Sequence, residues 1–257
     1  MQRNIRLDLS FDGTRYCGWQ RQRHAPSIQA MLETRLATLT RDEVTLHGAG
    51  RTDAGVHALN MVANFHTSSH IDLAAFLHGL NSMLPEDIRI LKATEVPKDF
   101  HSRFSATGKT YSYRFFTGQI MPPCSRLYMS HFPCSLEHTS IATALKHLQG
   151  THDFTSFEGA GSRDPASGRG AVRTLFSAQY GSLADPDHWM LSFTGDGFLR
   201  HMVRNLVGTL IEIGRGKRRA DDITAILAAR DRTAAGPTAP ACGLFLEQVH
   251  YQPLFSS

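Results

Sequence analysis

The residues best suited to chemistry lie in one short stretch, from Gly48 to Ala58. Three glycines and three alanines leave little side-chain bulk there, so the long side chains of Arg51, Asp53 and His57 stand out. Glycine tolerates positive φ and allows another backbone or a ligand to approach closely. A guanidinium two residues from a carboxylate favours the charged form of that carboxylate. Such a pair suits a nucleophile or a base that must stay ionised.

Two other interpretations of this stretch stay open on spacing alone. Its glycines could cradle a phosphate, although their spacing matches neither the G-x-G-x-x-G fingerprint nor the Walker pattern that ends in Gly-Lys-Ser/Thr. Arg51 and Asp53 could also form an ordinary ion pair in a tight turn, since structural ion pairs shift pKa values as well. Residue types alone do not separate a catalytic loop from a structural one.

Residues Gly50 to His57 resemble the signature of the tRNA pseudouridine synthase A family, in which the aspartate is the catalytic residue. Further blocks are similar to the family and follow in its order over nearly the whole chain. These blocks are Phe11 to Thr14, Gly18 to Gln22, Phe104 to Thr107 with Lys109 to Tyr113, Asp153 to Phe157, Phe198 to Asn205, and Thr238 to Pro240 with Gly243-Leu244.

The resemblance implies an isomerase that converts uridine to pseudouridine at nucleotides 38, 39 and 40 of the tRNA anticodon stem-loop. It also implies a homodimer whose two subunits share one tRNA. The reaction breaks the bond between ribose and N1 of uracil and rejoins the base through C5, so it needs no cofactor. A base inside a stem cannot rotate, so it must first be flipped into a pocket.

Five side chains receive roles from this resemblance. Asp53 acts as nucleophile or base, with the attacked atom left open, and Arg51 occupies the space vacated by the flipped base. Tyr111 stacks on the uracil, and its hydroxyl is a candidate to take the C5 proton. Arg204 is expected to pair with Asp53, because a buried guanidinium needs a carboxylate. Leu244 is expected to provide an apolar floor for the base.

Neighbouring aromatic and histidine residues are expected to be structural. Tyr113 and Phe115 are predicted to pack in the core, as aromatic residues in strands usually do. His57 could contact RNA, but a structural use is favoured. His66 and His70 would have the spacing of metal ligands only in a helix, whereas the residues between them indicate a strand end. No metal site is predicted.

Basic residues indicate where RNA could bind. The net charge of +4 and the pI of about 9.0 fit a phosphate-rich partner. Two loops carry clustered cations that we predict to contact phosphates: Arg21 and Arg23 in one, Lys217, Arg218 and Arg219 in the other. The alternative is that these are solvated loop charges.

A glycine-rich segment at 158–171 carries two more cations, Arg163 and Arg169. Its composition predicts mobility, and mobile basic loops often fold over RNA. Its residues diverge from the family pattern, so what it recognises is left open.

Hydrophobic periodicity predicts the scaffold of the N-terminal half. The expected order is strand, helix, strand, strand, helix, strand, which is the split βαβ pattern. The two helices are expected to be capped by Ser27 and Asp72. The predicted elements are residues 3–11, 28–39, 44–46, 61–66, 73–84 and 88–95.

The C-terminal half repeats that order of elements. Strands are predicted at 111–115, 172–180, 189–193 and 244–251, and helices around 141–148, 202–210 and 221–230. We therefore expect an α+β protein with a mixed, mainly antiparallel central sheet from two ferredoxin-like halves, residues 1–105 and 106–257. The helices should lie on one face and a cleft on the other, as in the pseudouridine synthase fold.

Composition predicts a cytoplasmic protein. The sequence has neither an apolar signal-peptide core nor an apolar run of bilayer length. The four cysteines are scattered without a C-x-x-C pair, which argues against a disulfide framework or a zinc site.

Two alternative functions stand beside the tRNA isomerase. One is a pseudouridine synthase that acts on another RNA position, and the other is an RNA-binding protein without catalysis. Pure binding does not need an aspartate that faces phosphates. The combination of Arg51, Asp53 and Tyr111 therefore favours an enzyme.

Overall fold

The computed structural model describes residues 2–159 and 170–254. The chain forms two compact units. The first unit is Met1–Thr107 with Phe245–Ser257, and the second unit is Gly108–Leu244.

This division differs from the predicted halves, 1–105 and 106–257, because the C-terminal strand belongs to the first unit. Its residues Phe245 and Leu246 pair in parallel with His57 and Ala58. Strand pairing is a long-range contact, so the order of elements along the chain does not reveal it.

The described residues contain ten strands and five α-helices. The strands are β1 (Arg3–Phe11), β2 (His47–Gly48), β3 (His57–Thr67), β4 (Ile88–Val96), β5 (Gly108–Phe116), β6 (Ser130–His131), β7 (Gly150–Asp153), β8 (Val172–Ser182), β9 (His188–Gly195) and β10 (Leu244–His250). The helices are α1 (Ile28–Thr40), α2 (Leu73–Met83), α3 (His138–Leu148), α4 (Met202–Gly214) and α5 (Asp222–Ala229).

The sheet of the first unit has the strand order β4-β1-β3-β10, and β2 pairs with β3. β1 is antiparallel to β3 and β4. Alternate residues of β1 are buried, as predicted, and the fully buried Ile5 lies opposite Phe65. The Phe65 ring meets Phe76 of α2 edge-on, with ring centroids 5.6 Å apart. Because side chains alternate along a strand, this contact places α2 against one face of the sheet.

The two predicted helix caps behave differently. Asp72 caps α2 as expected, since its carboxylate accepts a hydrogen bond from the Ala75 amide at 2.6 Å. Ser27 occupies the N-cap position of α1, as predicted, but its side chain makes no capping hydrogen bond. The amides of Ile28 and Gln29 instead donate to the carbonyls of Gly18 and Trp19. Backbone groups from a preceding loop thus satisfy the first turn.

The predicted strand at 44–46 was wrong, because the structure has only the short β2 at His47–Gly48 there. Both backbone groups of Leu46 bind side chains of α1. Its amide donates to Glu33 at 3.0 Å, and its carbonyl accepts from Gln29 at 3.1 Å. A backbone satisfied in this way needs no partner strand.

The sheet of the second unit has the strand order β5-β9-β8-β7, with β6 beside β5. Its pairs are antiparallel except for β5 with β6. Tyr113, Phe115, Leu191 and Phe193 are fully buried, which confirms the core role predicted for the two β5 aromatics. Both units are α+β with mainly antiparallel pairing, as predicted. No helix among the described residues is long and apolar enough to cross a bilayer.

Candidate active site

Asp53 lies on the loop between β2 and β3, hereafter the Asp53 loop, residues 49–56. The loop leaves β2 with the Ala49 amide bound to the Val62 carbonyl at 2.8 Å. It closes with a turn in which the Val56 amide donates to the Asp53 carbonyl at 3.2 Å. Asp53 is half-buried and Arg51 is exposed. The predicted loop between two strands is therefore confirmed, with both long side chains at its centre.

A second segment, residues 12–19 between β1 and α1, holds this loop, and we call it the clamp segment. The Trp19 amide donates to the Thr52 carbonyl at 3.2 Å. In the other direction, the Gly55 amide donates to the Tyr16 carbonyl at 3.2 Å. Backbone groups form both hydrogen bonds, so the path of the Asp53 loop is fixed by the clamp segment.

Glycine is required where the two segments meet. A methyl group at Gly13 would overlap the Val56 carbonyl oxygen, and one at Gly18 would overlap the Thr52 carbonyl oxygen. Gly18 also has φ of +89°, in the left-handed region that side chains other than glycine rarely adopt. The sequence blocks around residues 11–14 and 18–22 are thus explained by close backbone approach.

Asp87, in the turn before β4, anchors the clamp segment. Its carboxylate accepts from the Tyr16 hydroxyl at 2.7 Å and from Arg15 Nε at 2.9 Å, and its carbonyl accepts from the Asp12 amide at 2.9 Å. Burial, and secondly the bond to Asp87, raises the pKa of the Tyr16 hydroxyl above its usual value. The hydroxyl therefore remains a donor across the physiological pH range.

His57, the first residue of β3 after the Asp53 loop, contacts the clamp segment. The side chain is 1% exposed, and its ring stacks on Phe245 with centroids 4.7 Å apart. Its Nδ1 lies 3.1 Å from both the Gly13 amide nitrogen and an Asp12 carboxylate oxygen. Without a proton, Nδ1 accepts a hydrogen bond from the Gly13 amide. With a proton, it donates one to the Asp12 carboxylate. This environment supports the structural use favoured from the sequence.

Arg21, predicted as a phosphate contact, forms an ion pair with the buried Glu33 of α1, with Nε and Oε2 2.8 Å apart. Glu33 also binds the Leu46 amide, three residues before the Asp53 loop. The Arg21 side chain is still 54% exposed. Arg23 is exposed as well. The supporting role of Glu33 was not predicted from the sequence. The feature that could have indicated it is the position of this acidic residue on the apolar face of a predicted helix.

The second unit carries three of the predicted substrate-binding residues. Tyr111 on β5 is 8% exposed and contacts Phe198 edge-on, with ring centroids 5.0 Å apart. Leu244 is 5% exposed. Arg204, in the first turn of α4, donates from Nε to the Ala239 carbonyl at 2.7 Å, and the Ala239 amide donates back to the Arg204 carbonyl at 3.1 Å. Arg204 thus joins α4 to the segment that leads to Leu244.

Asn205, beside Arg204, is a fully buried residue that sequence reasoning missed. Its side-chain amide donates to the Phe157 carbonyl at 2.8 Å. Its oxygen accepts from the Thr238 hydroxyl at 2.6 Å and from Arg232 at 3.0 Å. Three of the family-like blocks therefore meet at one side chain. An amide within an apolar helical stripe was the signal for it.

The basic segment after α4 divides into two kinds of residue. Arg218 donates to Glu212 at 2.7 Å and to the Ala234 carbonyl at 2.7 Å, which is a structural role. The side chains of Lys217 and Arg219 are exposed. Arg163 and Arg169, in the segment whose recognition the sequence left open, lie outside the described residues.

None of the described His, Cys, Asp and Glu side chains form a group of three or more that could hold an ion.

Comparison with known proteins places this chain in a family. A family profile described as tRNA pseudouridine synthase matches residues 9–105 and 144–252. The chain is 52% identical to tRNA pseudouridine synthase A 1 of Desulfotalea psychrophila, over 97% of this chain and 100% of that protein. It is 44% identical to tRNA pseudouridine synthase A 2 of Clostridium tetani, over 98% and 100%. It is also 44% identical to tRNA pseudouridine synthase A of Acetivibrio thermocellus, over 97% and 100%.

The chain therefore belongs to the tRNA pseudouridine synthase family. This confirms the family predicted from Gly50 to His57.

Replacing Gly18 by alanine should loosen the Asp53 loop. A left-handed conformation alone costs a residue other than glycine about 1–2 kcal/mol, and the overlap with the Thr52 carbonyl adds to it. Gly216→Ala is the matched control, because Gly216 has φ of +70° but an added methyl would meet no described atom within 4 Å. Urea denaturation should show the larger loss of unfolding free energy for Gly18→Ala. Equal losses would contradict the role of close approach.

Proposed function

We propose that this protein isomerises uridine to pseudouridine in tRNA, with Asp53 as the catalytic residue. The observation that carries the proposal is the Asp53 loop, whose backbone is held by the clamp segment in a chain of this family. In the reaction the bond from C1′ to N1 breaks, uracil rotates, and a bond from C1′ to C5 forms. C5 loses its proton and N1 gains one. Atoms are conserved, so neither oxidant nor co-substrate is consumed.

The small residues of the Asp53 loop favour this role. Glycine and alanine neighbours leave room for a nucleotide next to the carboxylate. A flipped base leaves a gap in the RNA stack, and the exposed guanidinium of Arg51 can fill it by stacking on the adjacent bases. Extrusion costs a few kcal/mol, and contacts of this kind offset it.

For the second unit we propose that Tyr111 stacks on the uracil and that Leu244 packs against the base. The edge-on contact with Phe198 supports this role, because it restricts the orientation of the Tyr111 ring. The pairing of Arg204 with Asp53 stays a prediction. The hydrogen bonds between Arg204 and Ala239 support a positioning role for the segment before Leu244.

We further propose that the target uridines are nucleotides 38, 39 and 40 of the anticodon stem-loop and that two subunits share one tRNA. The resemblance to the A family supports both statements. A tRNA substrate also supports a cytoplasmic location. The alternative is a synthase that acts on another RNA position.

The catalytic role of Asp53 is tested with tRNA that carries tritium at uracil C5. Asp53→Asn should lower the rate of proton release by about a thousandfold or more, as expected when a nucleophile is removed. Asp99→Asn, which changes an exposed aspartate, should leave the rate unchanged. Binding of tRNA by both variants shows that they are folded. Undiminished release from Asp53→Asn would remove this mechanism.

The target positions are tested by mapping pseudouridine in tRNA from cells with and without this protein. We expect modification at positions 38, 39 and 40 to disappear without the protein and to return when it is restored. The loss of pseudouridine at another position alone would establish the alternative substrate.

The exposed cations Lys217 and Arg219 should contribute to tRNA affinity, whereas Arg218 should contribute to stability. The double variant Lys217→Ala, Arg219→Ala should bind tRNA more weakly and with a shallower salt dependence, by about one unit of slope per lost phosphate contact. Arg218→Ala should mainly lower the free energy of unfolding. An unchanged salt slope in the double variant would place the phosphate contacts elsewhere.

A further inference from the structure

Phe104 is an exposed aromatic residue for which the proposed chemistry has no role. Its side chain is 78% exposed, in a turn between β4 and β5. Burying a phenyl ring stabilises a protein by about 1.5–3 kcal/mol relative to leaving it exposed. A chain that holds this ring in solvent forgoes that gain, which is a reason to look for a ligand.

The turn that carries Phe104 is held by its own hydrogen bonds. His101 Nδ1 accepts from the Arg103 amide at 3.1 Å, and the Ser105 amide donates to the His101 carbonyl at 2.9 Å. The His101 amide in turn donates to the Ser105 hydroxyl at 3.0 Å. Burial, and secondly the nearby His47, lowers the pKa of His101, which keeps its ring neutral and able to accept. Phe104 is thus held outward by a preorganised turn.

Three rings follow one another behind this exposed face. The Phe104 and His101 centroids are 4.4 Å apart, and those of His101 and His47 are 4.9 Å apart. The Arg103 guanidinium lies 5.8 Å from the Phe104 ring centroid. We call the side chains of His47, His101, Arg103 and Phe104 the Phe104 platform.

The Phe104 platform is attached to the strand that leads into the Asp53 loop. The Ser102 hydroxyl donates to the His47 carbonyl at 2.6 Å. His47 belongs to β2, and Ala49 begins the Asp53 loop two residues later. The Phe104 platform and the Asp53 loop are therefore joined through β2, and the platform combines tilted aromatic rings with a guanidinium over the Phe104 ring.

We propose that the Phe104 platform binds an unpaired base of the RNA substrate, which stacks on the exposed face of Phe104 while Arg103 contacts a neighbouring phosphate. This inference rests on the proposed function, because that function identifies the ligand as RNA. Aromatic stacking beside a cation is the common way in which proteins hold single-stranded nucleotides. The Arg103 cation at the Phe104 ring favours RNA over a second copy of this chain as the occupant, because a phosphate backbone complements its charge.

The test compares Phe104→Ala with Phe104→Trp, both in the Asp53→Asn background so that bound tRNA is not converted. Phe104→Ala should raise the Kd for tRNA about tenfold, within the range expected for one lost stacking contact. Phe104→Trp should retain the affinity, and its added fluorescence should be quenched by tRNA. The matched control is Ile120→Ala, which removes another strongly exposed apolar side chain, in the second unit, and should not change the Kd.

Unchanged affinity in Phe104→Ala overturns the proposal. So does a loss of self-association in sedimentation with the tRNA affinity intact, because the platform would then bind a second copy. If the unmodified protein releases no tritium from tRNA but binds it through Phe104, the proposed function fails while this inference stands.

Discussion

The close approach of two backbones is the constraint on which the candidate site depends. The clamp segment and the Asp53 loop exchange amide-to-carbonyl hydrogen bonds, and Gly13 and Gly18 lie where any larger residue would overlap a carbonyl. None of these bonds uses the side chain of Arg51 or Asp53. Backbone hydrogen bonds thus hold the loop that carries the two charged side chains, and the glycines and alanines of the loop leave space beside them.

Buried and partly buried polar side chains extend this support away from the loop. Glu33 binds the Leu46 amide, Asp87 binds the clamp segment, and Asn205 joins three segments of the second unit. A buried polar group is costly unless it is hydrogen-bonded. Once its bonds are formed, it therefore fixes the segments it joins. These residues therefore resist rearrangement of the segments they join.

The basic residues that seemed equivalent in the sequence differ in the structure. Arg218, and Arg21 although its side chain is 54% exposed, each pair with a glutamate, and Arg23, Lys217 and Arg219 form a second, exposed set. A guanidinium that already binds a carboxylate contributes little net positive field toward phosphates. The exposed set is therefore the better guide to the electrostatic surface that RNA would meet.

The sequence by itself determined the family, the class of fold and the approximate positions of the five helices and the longer strands, but not those of the short β2, β6 and β7. The predicted features follow from local periodicity and from one continuous motif. Only the tertiary structure decided which unit contains the last strand, that the Ser27 side chain makes no capping hydrogen bond, and which groups Glu33 and Arg218 bind. These outcomes depend on groups far apart in the chain. Burial patterns repeat every two residues in strands and every 3.6 in helices, so a short stretch of sequence reveals them. The partner of a polar group is set only when distant segments meet.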